Sequence, residues 1–292
     1  MRRAAAVLVL VLAGCGPAAP PSSAPSSVPS SAVPSAVPSA GAPVEVLPDV
    51  PGITAEAVQQ RTDAAIGGQV QVRVTDTGAE PFTVTAVQLD SPGFAPLPPR
   101  GVTARFAPGQ TIDLPTPFGD VDCSAGVDPL GARLTVLRPD GAVEDLQVPL
   151  TGDTMARVHA GACAAQEVLA VVGIAVEDLA DAGRTVTGEV VLTRRSGEEP
   201  VEVSRLGGSV VLEPVPDGDL PVTLAAGARE LRVPVTFDAE RCDPHALAEV
   251  KKPFVFPLTV AVGDRAGVPV DLPLDDAQRA ALQGLLDRVC AG

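Results

Sequence analysis

Two β-sandwiches in tandem, each closed by a short helix, are the mainly β fold that the sequence predicts for most of this chain. Three observations carry the prediction: an internal repeat at near-constant offset, short runs of alternating apolar residues within each copy, and a pair of cysteines at matching places in both. Gly78-Ala79-Glu80-Pro81 recurs as Gly197-Glu198-Glu199-Pro200, Val84 as Val203, Pro115 as Pro234, Phe118 as Phe237 and Cys123 as Cys242, each pair 119 residues apart. Leu134-Thr135-Val136 then recurs as Leu258-Thr259-Val260 and Pro149-Leu150 as Pro273-Leu274 at an offset of 124, and Cys163 matches Cys290 at 127. Chance matches would not keep register over that distance, whereas a duplication interrupted by two small insertions does.

In chain order, residues 54–65 read as a short helix with Thr54 as its N-cap. Residues 69–75 alternate Val70, Val72 and Val74 and predict the first strand; 82–89, 102–106, 111–114, 132–137 and 143–148 follow. Pro139-Asp140-Gly141 predicts the turn of a hairpin between the last two, because proline presets φ and glycine accepts the left-handed position. In the second copy 185–194, 201–206, 209–213, 221–224, 230–237, 254–262 and 268–272 take the corresponding places, with Gly263 to Gly267 in place of the turn. Roughly seven short strands per repeat, separated by turn signals, are similar in architecture to the immunoglobulin-like sandwich, without the buried tryptophan of antibody domains. Each copy then ends in a helix. Asp275 and Gln278 have capping-box spacing, and Leu282, Leu285, Leu286 and Val289 form one apolar face that runs into Cys290. Residues 151–163 are the shorter counterpart, weakened by Gly161.

The first residues have a different character. Arg2-Arg3 precede a nine-residue apolar run, Ala4 to Leu12, too short to span a bilayer, which takes about 20 residues. Leu12-Ala13-Gly14-Cys15 at its end resembles the lipobox of bacterial lipoproteins. The resemblance implies diacylglycerylation of the Cys15 thiol and cleavage between Gly14 and Cys15, leaving a membrane-anchored, extracytoplasmic protein. From Gly16 to Pro43 the chain is Pro, Ser, Ala, Val and Gly without a charge, a composition that cannot bury a core. Those 28 residues predict a disordered tether reaching at most ~90 Å at about 3.1 Å each. The expected organisation is a signal peptide at 1–14, a lipid-anchored linker at 15–43, a first sandwich at 44–165 and a second at 166–292. The Ala/Val/Pro/Arg-rich usage is similar to that of secreted actinobacterial lipoproteins.

Five cysteines divide into Cys15 and an even four, which outside the cytoplasm suggests disulfides. Pairing within each copy gives Cys123 with Cys163 and Cys242 with Cys290; the alternative is zinc, for which Cys242-Asp243-Pro244-His245 and His159-Ala160-Gly161-Ala162-Cys163 have half-site spacing. Neither histidine has a counterpart in the other copy, and no cofactor is implied. No serine lies in a Gly-x-Ser-x-Gly context, and Asp120 and Asp122, which could be carboxylate ligands, are replaced by Ala239 and Arg241 in the second copy. Losing residues 1–14, with two arginines and no acid, would take the formal charge from −15 to −17, which disfavours nucleic acid and bare anionic membrane as partners. The lack of Trp and Tyr removes the usual stacking platforms.

One departure from the repeat marks a candidate interaction loop. Cys123 to Thr135 spans 12 residues and Cys242 to Thr259 spans 17, and the extra segment holds His245 and the chain's two lysines, Lys251 and Lys252. The expected function is a non-enzymatic binding or adaptor module, held to the membrane through Cys15 and facing a protein partner in the cell envelope. An extracytoplasmic metal-handling protein or enzyme stays open as an alternative, as does a transporter-associated solute receptor, which would need alternating helices and parallel strands. Mass spectrometry of the membrane-extracted N-terminal peptide is expected to find an acylated Cys15, and Cys15→Ser to block lipid-dependent processing. Unmodified Cys15 on protein released into the medium would overturn the anchor.

Overall fold

The computed structural model describes residues 46–290. The expected signal peptide, lipidation at Cys15 and 15–43 linker lie outside the described residues, and the described residues form one compact unit.

The first repeat comprises β1 (Ile53–Val58), α1 (Arg61–Ile66), β2 (Gln69–Asp76), β3 (Phe82–Asp90), β4 (Arg100–Phe106), β5 (Thr111–Pro117), β6 (Gly131–Leu137) and β7 (Val143–Thr151). Its seven strands are hydrogen-bonded in the order β4-β3-β6-β7-β1-β2-β5. The sheet turns its corner at β7, which pairs antiparallel with β6 along its length and then, through Leu150 and Thr151, parallel with Ala55 and Glu56 of β1. The two halves fold over a shared core in which Val70, Val72 and Val74 of β2 meet Leu134 and Val136 of β6 and the Phe82–Phe106 stack, ring centroids 4.7 Å apart. Alternation of valine with Gln71, Arg73 and Thr75 is what fixes the inward face of β2, since a one-residue slip would turn every valine outward.

α2 (Thr154–Val171) follows, and the second repeat continues with β8 (Val172–Asp181), β9 (Thr185–Arg194), β10 (Val201–Leu206), β11 (Glu213–Pro216), β12 (Val222–Leu224), β13 (Glu230–Asp238), α3 (Pro244–Glu249), β14 (Pro257–Val262), β15 (Val268–Asp271) and α4 (Asp276–Cys290). Two four-stranded sheets, β12-β10-β14-β15 and β11-β13-β9-β8, enclose a second core. The mainly β, immunoglobulin-like sandwich architecture is thus present in both copies, and the order of elements does not alternate between strand and helix.

Four local readings need correction. Thr54 does not cap a helix; residues 53–58 form β1, paired with β2 from Ile53↔Asp76 to Val58↔Gln71, because Ile53, Ala55 and Ala57 repeat every second residue and face the core. The helix starts later, at Arg61, where Asp63 accepts hydrogen bonds from the Gln60 amide (2.8 Å) and the Gln69 and Gln71 amide groups (2.8 and 2.6 Å), which lets a carboxylate sit 1% exposed. Residues 209–212 are a turn, not a strand: Ser209 Oγ accepts from the amides of Val211 and Leu212, competing with a sheet ladder. Finally α2 does not stop at Cys163 but runs to Val171 and passes straight into β8, a strand the alternation had not shown.

That extension means the 165/166 boundary falls inside a helix. Met155 on the first turn of α2 is buried in the first core, and Val168 on its last turns is buried in the second. Its final carbonyls are capped by the turn after β9: Arg195 and Ser196 amides donate to Val171 O at 2.8 and 3.2 Å, Arg195 Nη1 to Leu169 O at 2.8 Å and Ser196 Oγ to Ala170 O at 2.9 Å. α4 begins with the reciprocal capping box of Asp275 and Gln278, both bonds 2.8 Å, and buries Leu282, Leu285 and Leu286. Disulfides tie both helices, Cys123–Cys163 across 40 residues and Cys242–Cys290 across 48, and loops of that size are worth ~4 kcal/mol each on the chain-entropy account.

Gly161 sits in the middle of α2 with no atom within 4 Å of where a Cβ would stand. Gly161→Ala is expected to raise unfolding free energy by about 1 kcal/mol, visible as a higher denaturant midpoint at unchanged slope.

Candidate functional site

The inserted segment of the second repeat is folded. Pro244 starts α3, and Asp243 caps it, with Oδ1 accepting from the amides of His245 (2.7 Å) and Ala246 (3.0 Å). The segment is pinned at both ends. Cys242 is bonded to Cys290 at the end of α4, and Phe256 is fully buried in the second core, with its ring centroid 5.2 Å from that of Phe237. Between these anchors Ala246 is buried, and Leu247, Val250 and Phe254 are half-buried against the core.

A groove of about 580 Å³ runs between this segment and α4, with Leu247, Val250 and Pro253 on one wall and Gln283, Leu286 and Asp287 on the other. A smaller one of about 180 Å³ lies on the other flank of α3, lined by Val210, Arg241, His245 and Glu249 among others. Val210 is 53% exposed, pushed out by the Ser209 turn that buries Val211 and Leu212. Both grooves mix apolar with charged or amide side chains, and neither places a nucleophile beside a base.

The three candidate residues of the loop do not converge. His245 and Lys251 are exposed, with His245 on the smaller groove. Lys252 turns toward the first repeat: its Nζ lies 3.0 Å from where a Cβ on Gly67, the C-cap of α1, would stand. The absence of a side chain at Gly67 leaves room for the ammonium group, so Lys252 acts at the contact between repeats. Val210 and Gly67 carried no signal that could be read from sequence, because one depends on a turn and the other on a partner 185 residues away.

His159 lies elsewhere, on α2. Its Nε2 is 3.0 Å from Asp122 O, and both ring nitrogens are 3.9 Å from Cys163 Sγ one helical turn later. The imidazole stands edge-on to the Phe94 ring and fills space left by Gly93, where a Cβ would come within 2.9 Å of it. Ser124 is nearby, but its hydroxyl and amide donate to Asp122 Oδ1 at 2.6 and 2.9 Å, not to the imidazole. Those two bonds, with His159 assisting, hold the Asp122 carboxyl below the usual carboxylate range. Serine, histidine and aspartate are therefore close together without the order that activates a nucleophile. Asp120, the other acid of this loop, takes part through its carbonyl, which accepts from the Ala95 amide at 2.7 Å. All four cysteines of the repeats are consumed in disulfides, and no group of three His, Cys, Asp or Glu side chains gathers at metal-binding distance among the described residues.

No family model and no curated protein matches the chain. Among solved structures, red sea bream transglutaminase is 12% identical with a TM-score of 0.22, over 78% of this chain and 32% of that one. The chain thus spans about a third of that enzyme's length. A partial N-terminal region of an enterococcal surface protein is 10% identical, TM-score 0.20, over 80% of this chain and 98% of that one, and the BSP domain of a biofilm-associated protein is 8% identical, TM-score 0.21, over 84% and 63%. Overlaps this slight carry no argument about function. No helix among the described residues is long and apolar enough to cross a membrane, and the paired cysteines fit an oxidising, extracytoplasmic compartment.

Replacing the α3 cap by Asp243→Ala is expected to cost the segment about 1 kcal/mol, read as faster hydrogen exchange at the His245 and Ala246 amides with exchange in β9 and β13 unchanged.

Proposed function

We propose that this protein is a membrane-tethered, non-enzymatic recognition module of the cell envelope: a lipid anchor at Cys15, a spacer over residues 16–43, and a paired-sandwich body that contacts a protein partner through the grooves beside α3. The observation that carries this reading is the asymmetry of the repeat. Of two otherwise matched copies, only the second carries the added segment, and that segment is held by a disulfide and a buried phenylalanine while a groove lies on each side of its helix, one of them reaching exposed Val210 of the Ser209 turn. Inserted segments on a rigid scaffold are where repeats commonly acquire binding surfaces. A tether adds to this by raising the effective concentration of the module at the membrane.

The chemistry of the surface narrows the partner. The chain's formal charge is −15, and the grooves are lined by Asp287 in one and by Asp243 and Glu249 with Arg241 in the other, so a basic or neutral protein segment presenting an apolar side chain is the matching occupant. His159 and His245 lie at separate places, the first against the Cys123–Cys163 bond and the second on α3, and among the described residues neither imidazole has a serine hydroxyl or a carboxylate as a hydrogen-bond partner.

Photo-crosslinking in intact cells, with the reactive group at Val210, is expected to give one discrete protein adduct that Leu247→Asp abolishes, whereas the same group at exposed Val143 of the first repeat gives none. Equal labelling from both positions would remove the grooves from the proposal. Robust turnover in a hydrolase screen that is lost in His159→Ala or His245→Ala would overturn the non-enzymatic reading itself.

A further inference from the structure

The two disulfides occupy matched places in the repeat but have different surroundings. Around Cys123–Cys163 stand His159, four residues before Cys163 on the same helix, Gly93 beneath the imidazole, and Asp122 next to Cys123. At the offsets that align the copies, these positions become Leu286, Leu212 and Arg241 around Cys242–Cys290. Leu286 and Leu212 are buried in the second core. The first bond therefore lies beside a titratable ring in a packed seat, whereas the second has two buried leucines in the places of the ring and its seat, with Arg241 preceding Cys242 on the exposed side.

The sulfurs of the first bond also differ from each other. Cys123 is exposed on a loop and open to an incoming thiol, whereas Cys163 is half-buried on α2 with its sulfur 3.9 Å from both nitrogens of the His159 ring. A thiol beside an imidazole is a better leaving group, because the ring stabilises the departing thiolate or gives it a proton. Cys123 has no such ring beside it. Cys123 Sγ faces the Gln166 amide oxygen at 3.4 Å, an acceptor that gives a thiolate no support, which makes Cys163 the sulfur that leaves.

We infer that Cys123–Cys163 is a thiol–disulfide exchange site, and that Cys242–Cys290 is a fixed structural link. The co-reactant is a dithiol reductant. One of its thiolates attacks Cys123 Sγ; a new S–S bond forms to Cys123 as the Cys123–Cys163 bond breaks, and its electron pair departs on Cys163 Sγ, which takes a proton from solvent or from Nδ1 of the His159 imidazolium, whose Nε2–H stays on Asp122 O. The second thiol of the reductant then attacks its own sulfur in the mixed disulfide and releases Cys123. The protein gains two electrons and two protons, and the dithiol becomes a disulfide. The inference is independent of what the α3 grooves bind.

The test uses the full chain at pH 7 with dithiothreitol, alkylation quench and peptide mapping. Cys123–Cys163 is expected to open roughly tenfold faster than Cys242–Cys290, in line with the effect of leaving-group acidity on exchange. Glutathione, a monothiol that stops at the mixed disulfide, should be found on Cys123 with Cys163 free for alkylation. His159→Leu, which copies the second repeat, is expected to slow opening toward the rate of Cys242–Cys290. If the imidazole only packed, the same change would loosen α2 and speed opening, so the sign separates the two roles. Should that variant misfold, Gly93→Ala, whose methyl displaces the ring, is expected to slow opening too. Equal rates for the two bonds, glutathione on Cys163, or faster opening in either variant would each overturn the inference.

Discussion

Everything in the described part of the molecule depends on α2 being one helix. Met155 and Val168 lie on it 13 residues apart, about 20 Å along the axis at 1.5 Å per residue, and each is buried in a different sandwich. A helix anchored in two cores fixes both the separation of the sandwiches and their rotation about the helix axis. A loop of the same length would fix neither. The disulfide from Cys163 to Cys123 holds the middle of the helix to the first repeat, and the Arg195-Ser196 turn holds its last carbonyls to the second. The Lys252–Gly67 contact adds a second point of approach, so the inserted segment serves the scaffold as well as the surface.

The two copies solve the same edge problem in different ways. In the first, β7 bends to pair parallel with β1, which joins both halves of the sandwich into one sheet. In the second, β15 and the equivalent strand β8 each end a sheet, and unpaired strand edges invite association. Helices take over there. Gln278 of α4 donates to Val176 O of β8 at 2.7 Å, and Arg288 of α4 pairs with Asp181 at its end at 2.9 Å. The apolar face of α4, which buries Leu282, Leu285 and Leu286, is thus part of the second sandwich.

Duplication explains the matched frame, and the departures from it hold what is particular to this protein. The frame includes backbone contacts as well as strands: Ser196 donating to Val171 O repeats Thr77 donating to Gly52 O, 119 residues earlier. Against it, the imidazole and aspartate beside one disulfide become leucine and arginine beside the other, and the segment lengthened by five residues forms a capped helix with a groove on each side.

Period-two alternation and repeat register were enough, from sequence alone, to determine the sandwich architecture, most strand positions and the start of α4, because these depend on local patterns that survive in one dimension: Val70-Val72-Val74 has only one way to face a core, and Asp275 with Gln278 only one way to cap a helix. β1 was hidden by a threonine that also suits a cap, and the continuation of α2 by a glycine that lowers helix propensity without forbidding it, since packing of Leu169 and Val168 into the second core outweighs about 1 kcal/mol. Of the candidate site, the composition and place of the inserted loop were legible, and so were His245, Lys251 and Lys252 as its polar residues. The tertiary structure alone decided that Lys252 faces Gly67, that Val210 is turned out beside α3, and that His159 lies against the Cys163 sulfur. Each of these is a meeting of segments distant in the chain or a choice of side-chain direction, and packing settles both only when the whole chain is folded.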